Sequence, residues 1–134
     1  MKKLLILLLL LVVGCETPLE HKSNRLINES DDFDFVVDSS KQTDISLKYV
    51  ITNNSDEVID YTEEYYIEKL QDNEWYMYDV EVEFIDKVTM IYPGKEEVRY
   101  IEFEPIYGKL KKGEYRFIKV INGKKYAALF KINS

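Results

Sequence analysis

Leu110-Lys111-Lys112-Gly113-Glu114-Tyr115-Arg116-Phe117 is the stretch that decides the fold. The pattern Leu-x-x-Gly-x-Tyr at the head of the penultimate strand reads as a tyrosine corner. In such a corner the Tyr115 hydroxyl bonds back to the backbone a few residues upstream and pins the connection between two sheets. Gly113 is expected to supply a backbone conformation closed to other residues. Beyond the corner a strand runs to Ile121, and Asn122-Gly123 is the strongest two-residue hairpin signal in the chain. The last strand then puts Tyr126, Ala128, Phe130 and Ile132 on one face. A corner beside a final hairpin favours an antiparallel two-sheet sandwich over its competitor, a barrel such as an OB-fold.

Upstream, the same alternation recurs. Phe33, Phe35 and Val37 alternate with Asp34, Val36 and Asp38, a first strand with one wet face. After a turn at Ser39-Ser40-Lys41-Gln42, Ile45, Leu47, Tyr49 and Ile51 form the buried set of the clearest strand, which Asn53-Asn54-Ser55-Asp56 ends. Glu63 to Leu70 and Glu74 to Tyr78 read as a hairpin around Gln71-Asp72-Asn73, with arms whose faces the pattern does not separate. Glu83 to Tyr92 is a strand or a pair of short ones, and Tyr92-Pro93-Gly94 is a turn. Glu96 to Phe103 is a strand with an expected irregularity, because its apolar residues do not keep one parity. About seven to nine strands result, in one domain over 33–134.

The amino terminus is different in kind. Lys2 and Lys3 precede Leu4–Val13, an unbroken apolar run of 10 residues. A membrane span needs roughly 20, so the run fits the core of a secretory signal instead. It ends in Leu11-Val12-Val13-Gly14-Cys15. This junction resembles the lipobox of bacterial lipoprotein signal peptides, with aliphatic residues, a small residue at −1 and an obligatory Cys at +1. The resemblance implies cleavage between Gly14 and Cys15 and diacylglycerol on the Cys15 sulfur. Two acyl chains hold a protein stably where one holds it marginally. Cys15 is the only cysteine, so no intramolecular disulfide exists. Glu16 to Asp32 is polar, weakly patterned and contains the sole histidine, His21. We expect residues 1–14 to be removed and 15–32 to be a lipidated, flexible spacer. The protein is then lipid-anchored at the extracytoplasmic face of the cell membrane.

The domain also resembles a known family, the bacterial immunoglobulin-like domain of small Gram-positive lipoproteins. The matching segments are Thr52-Asn53-Asn54-Ser55, Glu68-Lys69-Leu70 with Trp75-Tyr76, Pro93-Gly94, and Tyr107-Gly108-x-Leu110-x-x-Gly113-x-Tyr115-Arg116. They cover most of residues 43–132. The resemblance implies an Ig-like sandwich without established enzymatic activity. The paired cysteines of antibody domains are missing.

Charge narrows the partners. The chain carries a formal −7, which becomes −9 when Lys2 and Lys3 leave with the signal. Such acidity repels phosphate backbones and anionic head groups, so no nucleic acid partner is expected. Asp31, Asp32, Asp34 and Asp38 lack the glycine and spacing of a calcium loop and read as a solvated strand face. No metal or cofactor is expected. Nucleophilic catalysis and zinc binding both lack a histidine or cysteine in the domain, and acidic pairs such as Glu63-Glu64 are common in so acidic a chain. Lys109, Lys111 and Lys112 form a local basic loop.

The candidate binding surface is Trp75, Tyr76 and Tyr78, since aromatic side chains offer large rigid area with a polar tip. The leading expectation is a non-enzymatic interaction module whose partner is a protein or a cell-wall glycan. An envelope inhibitor or enzyme acting through loops is the second. A purely structural surface spacer is the third.

Overall fold

A computed structural model describes residues 19–133. Among the described residues nine strands form two antiparallel sheets, and no helix is long and apolar enough to cross a membrane. The larger sheet has the order β1(Leu19–Lys22), β5(Glu74–Tyr78), β4(Ile59–Gln71), β8(Gly113–Ile121), β9(Lys124–Ile132), with β6(Val88–Ile91) also paired to β4. The smaller has the order β2(Phe33–Val37), β3(Ser46–Asn53), β7(Glu96–Glu102). This is the expected sandwich.

Period-two alternation builds the core. Leu47, Tyr49 and Ile51 from β3 face Tyr61, Tyr65 and Ile67 from β4 and Tyr115, Phe117 and Ile121 from β8, all buried. Aromatic rings tile the space between the sheets. Tyr49 and Phe117 lie 5.1 Å apart, Tyr65 and Phe117 5.5 Å, and Tyr115 stacks on Phe130 at 5.4 Å. Such pairs add roughly 0.5–1.5 kcal/mol each beyond their buried area. A large aromatic core serves a chain that has no internal disulfide to lean on.

The turns follow their chemistry. Asp72 and Asn73 both take positive φ, 53° and 64°, as the two-residue turn between β4 and β5 requires. Asn122 and Gly123 do the same between β8 and β9. Asn53 is fully buried and fully used. Its amide donates to the carbonyls of Glu57 and Ile91, and its oxygen accepts from the Ser55 N–H, so it ties the end of β3 to β6. Pro93-Gly94 then carries the chain from the large sheet to the small one, with Gly94 at φ 75°. One helical turn, α1 (Glu104–Tyr107), connects β7 towards β8.

Four expectations are corrected, three of them within strands. Ile45 lies before β3 and is partly exposed, and Asn53 takes the fourth inward position instead. Only Val88–Ile91 of the stretch from Glu83 to Tyr92 is strand. β7 has no irregularity: Glu97, Arg99 and Ile101 point inward in strict alternation, and the mixed parity arises because Val98 and Tyr100 lie on the outer face.

The largest correction concerns the flexible spacer. Its described part, from Leu19 on, is bound to the domain. β1 pairs with β5, Leu19 opposite Tyr78 and Lys22 opposite Tyr76. The chain then crosses the outer face of the large sheet. Ser23 N–H donates to Trp75 O at 2.7 Å, and Asn28 N–H to Lys125 O at 2.8 Å on β9. Polar composition concealed this docking because hydrogen bonds and an ion pair hold the segment, not an apolar stripe.

Candidate functional site

The three aromatic residues expected to form one surface are divided by the alternation of β5. Tyr78 turns inward, edge-on to Tyr107 at 5.6 Å, and packs against the core. Tyr76 lies between Lys22 and Lys69 in the sheet register. Trp75 faces outward, where the Arg116 guanidinium stacks on it 4.7 Å from the ring centroid. All three are half-buried.

Trp75 does line a groove. Register places Leu70 opposite Trp75 on the outer face, and Arg116 opposite Leu129 in the next row. Trp75, Leu70, Leu129 and Phe130, with Glu114 and Lys131 at the rim, enclose a shallow apolar groove of about 350 Å³. Leu129 is 70% exposed there. A second cavity, of about 510 Å³, lies between the end of β9 and residues 37–44, lined by Val37, Gln42, Thr43 and Asp44. Gln42 Oε1 is buried there without a partner among the described residues.

Beside the groove sits a buried carboxylate. Glu68 is fully inaccessible on the outer face, opposite Arg116 on β8. Arg116 Nε donates to Glu68 Oε1 at 2.8 Å, while Arg25 Nη1 and Ser23 Oγ reach Oε2 at 2.5 and 2.6 Å. The Arg25 guanidinium also stacks on Tyr66 at 3.9 Å. Ile118 and Met77 share this face and are buried, although they are not part of the inter-sheet core. The segment from Ser23 to Asn28 therefore acts as a strap, clamped through Glu68.

A second charged group is buried on the opposite face of the same sheet. Lys119 follows the inward parity of Tyr115, Phe117 and Ile121. The β4 register steps from Tyr61 to Tyr65 while β8 steps only from Ile121 to Lys119, so β4 bulges. The bulge releases the Thr62 carbonyl, which accepts from Lys119 Nζ at 2.6 Å. The ammonium sits 5.5 and 5.3 Å from the Tyr49 and Tyr61 ring centroids. Burial lowers its pKa to about 8, with Glu63 and Glu64 opposing and Arg99 assisting. Burial likewise pushes Tyr65 and Tyr66 up to about 12, and Tyr49 further.

Among the described residues, no group of three or more His, Cys, Asp or Glu is placed to hold a metal ion. Asp38 is instead a local cap, its pKa lowered by hydrogen bonds from Ser40 and by Lys48. His21 lies on β1 and is exposed. Gly14 and Cys15 fall outside the described residues.

The Tyr115 hydroxyl donates to Lys111 O at 2.6 Å, four residues upstream and across the bend that enters β8. Leu110 is buried beneath that bend. Gly113 has φ 159°, a conformation that L side chains rarely adopt, as expected, and a Cβ there would meet Lys69 Cε at 3.2 Å. A family model described as a bacterial Ig-like domain matches residues 30–131. The chain belongs to that family. No curated protein matches it. The Ig-like domain as matched holds Glu68, Arg116, Trp75 and the lining of the apolar groove, whereas β1, Ser23 and Arg25 precede it. The strap thus lies before the matched residues and is docked on the outer face of the large sheet.

The sequence pattern missed Glu68, Lys119 and Leu129. Lys119 was legible, since a lysine at an inward parity position signals a buried amine. Glu68 was not, because its arginine partners lie 43 and 48 residues away.

Proposed function

We propose that this chain is an extracytoplasmic lipoprotein, anchored through Cys15, that presents an Ig-like interaction domain next to the membrane. The observation that carries the proposal is the distance from anchor to domain. Cys15 precedes Leu19, the first residue of β1, by four residues. Four extended residues span at most about 14 Å. Because β1 and the strap are bonded to the large sheet, the domain stays near the bilayer and its orientation is restricted. Membership of a family whose domains are typically non-catalytic supports binding over chemistry. The Trp75 groove is the surface that suits it. Ligands engaged here gain from confinement to the membrane plane, which raises effective concentration.

Metabolic labelling with palmitate, followed by fractionation, tests the anchor. The native chain should take up label and sediment with membranes. Cys15→Ser should lose the label and be released. An unlabelled native chain, or a Cys15→Ser chain that stays with the membrane, would overturn the proposal.

A further inference from the structure

β9 is the terminal strand of the large sheet and pairs with β8 alone. Its first half is covered. Asn28 N–H donates to Lys125 O, and Phe33 packs edge-on against Tyr126 at 4.8 Å. From 127 to 132, no described residue outside β8 takes a backbone hydrogen bond. An unpaired row of this kind is a template for another strand unless something blocks it.

The two cavities flank that free row. The apolar groove opens on the outer side and the Gln42 cavity on the other, and Leu129, Phe130 and Lys131 border both. A strand added to an edge sends alternate side chains to opposite faces. Alternate residues of such a strand would therefore meet the Trp75 groove and the polar cavity in turn, as in peptide recognition by strand addition.

Charge identifies the occupant. β9 has no acidic residue and three lysines, of which Lys131 lies in the free half and Lys124 and Lys125 at its other end, in a chain of net charge −7. Lys109, Lys111 and Lys112 directly precede Gly113, which pairs with Ile132 at the end of β9. The Lys131 ammonium lies 3.8 Å from Glu114 yet remains well exposed. A second copy of β9 would bring three more lysines to this edge, a like-charge approach less favourable than that of an acidic strand.

We propose that the free half of β9 is a strand-addition site for an extended, acidic segment of a partner protein, with one apolar side chain in the groove formed by Trp75, Leu70 and Leu129. The proposal deepens the interaction-module reading and rests on it.

The test selects a phage-displayed library of random linear peptides against the whole chain in detergent micelles. Selected peptides should be acidic at alternate positions around an apolar residue. Their synthetic forms should shift the emission of Trp75, the only tryptophan, and slow amide exchange within 127–132. Lys131→Glu and Leu129→Asp, both at exposed positions, should each weaken binding by on the order of tenfold. Methylating alternate peptide nitrogens should abolish it. Failure to select any peptide sensitive to Leu129→Asp would overturn the proposal. Selection of basic peptides, or protection of a different segment, would do the same. None of these failures would touch the lipid anchor, which palmitate labelling reads separately.

Discussion

Glu68 and Lys119 lie on opposite faces of the same two central strands, and each is almost completely removed from water. The fold accommodates them differently. Glu68 is surrounded by two guanidinium groups and a hydroxyl. Lys119 has one carbonyl and two aromatic faces, and responds by giving up its proton more easily. A buried charge persists either through full pairing or through a displaced pKa. The difference teaches where each face gets its stability. The outer face depends in part on a segment that precedes the matched residues, and the inner face depends on residues within them.

Breaking the pairing should give the largest effect. Arg116→Met removes the guanidinium from Glu68 and from the Trp75 ring while keeping an aliphatic stem. Chemical denaturation should show a loss of about 3–5 kcal/mol, the cost of leaving a buried charge underpaired. Arg116→Lys should recover only part of it, because a lysine cannot reproduce the guanidinium fork. A loss below about 1 kcal/mol would mean that Arg25 and Ser23 suffice for Glu68, and the contrast with Lys119 would collapse.

Lys119 predicts a pH dependence. The unfolded lysine holds its proton up to about 10.5, whereas the folded one releases it from about 8. Between those values the unfolded state binds more protons, so stability rises with pH across the window and is forfeited as pH falls to 8. The full excursion is on the order of 3 kcal/mol, at about 1.4 kcal/mol per pH step. Tyrosines act in the opposite sense. Tyr65 and Tyr66, pushed up to about 12, contribute stability present below pH 10 and lost as pH rises towards 12. Urea midpoints should therefore peak near pH 10. Lys119→Met should flatten the rising limb and leave the falling one, at the cost of about 1 kcal/mol for the unpaired Thr62 carbonyl. A rising limb that survives in Lys119→Met would assign it to another group.

These two residues also mark what the sequence made legible. The sandwich was readable because Leu47, Tyr49 and Ile51, and then Tyr126, Phe130 and Ile132, keep one parity through strands with recognisable turns. The corner at Tyr115 was readable because its partner lies only four residues away. Distant pairing was not readable. Nothing local distinguishes Glu68 from Glu64, and only the register of β4 with β8 brings Arg116 to it. The three candidate aromatics divide between faces for a related reason. Trp75 and Tyr76 are adjacent in sequence, but a strand sends neighbours to opposite faces, so Trp75 takes one face of β5 and Tyr76 and Tyr78 the other. Leu129, the groove's most exposed apolar side chain, looked like an ordinary outward residue of a final strand.

The smallest effect, and the sharpest test of where the domain begins, is Ser23→Ala. It removes the hydroxyl that donates to Glu68 at 2.6 Å and leaves both arginines in place. The cost should be about 1 kcal/mol. What matters is where that cost is felt. A strap that opens locally would lose protection at the Ser23 and Asn28 amides, whose acceptors are Trp75 O and Lys125 O. Their hydrogen exchange should quicken by roughly tenfold while exchange of the β4 and β8 core amides is unchanged, the behaviour of a separate opening unit. If the core amides quicken by the same factor, the strap unfolds only with the sandwich. In that case the strap is part of the cooperative core, and the family boundary at residue 30 is not a physical one in this protein.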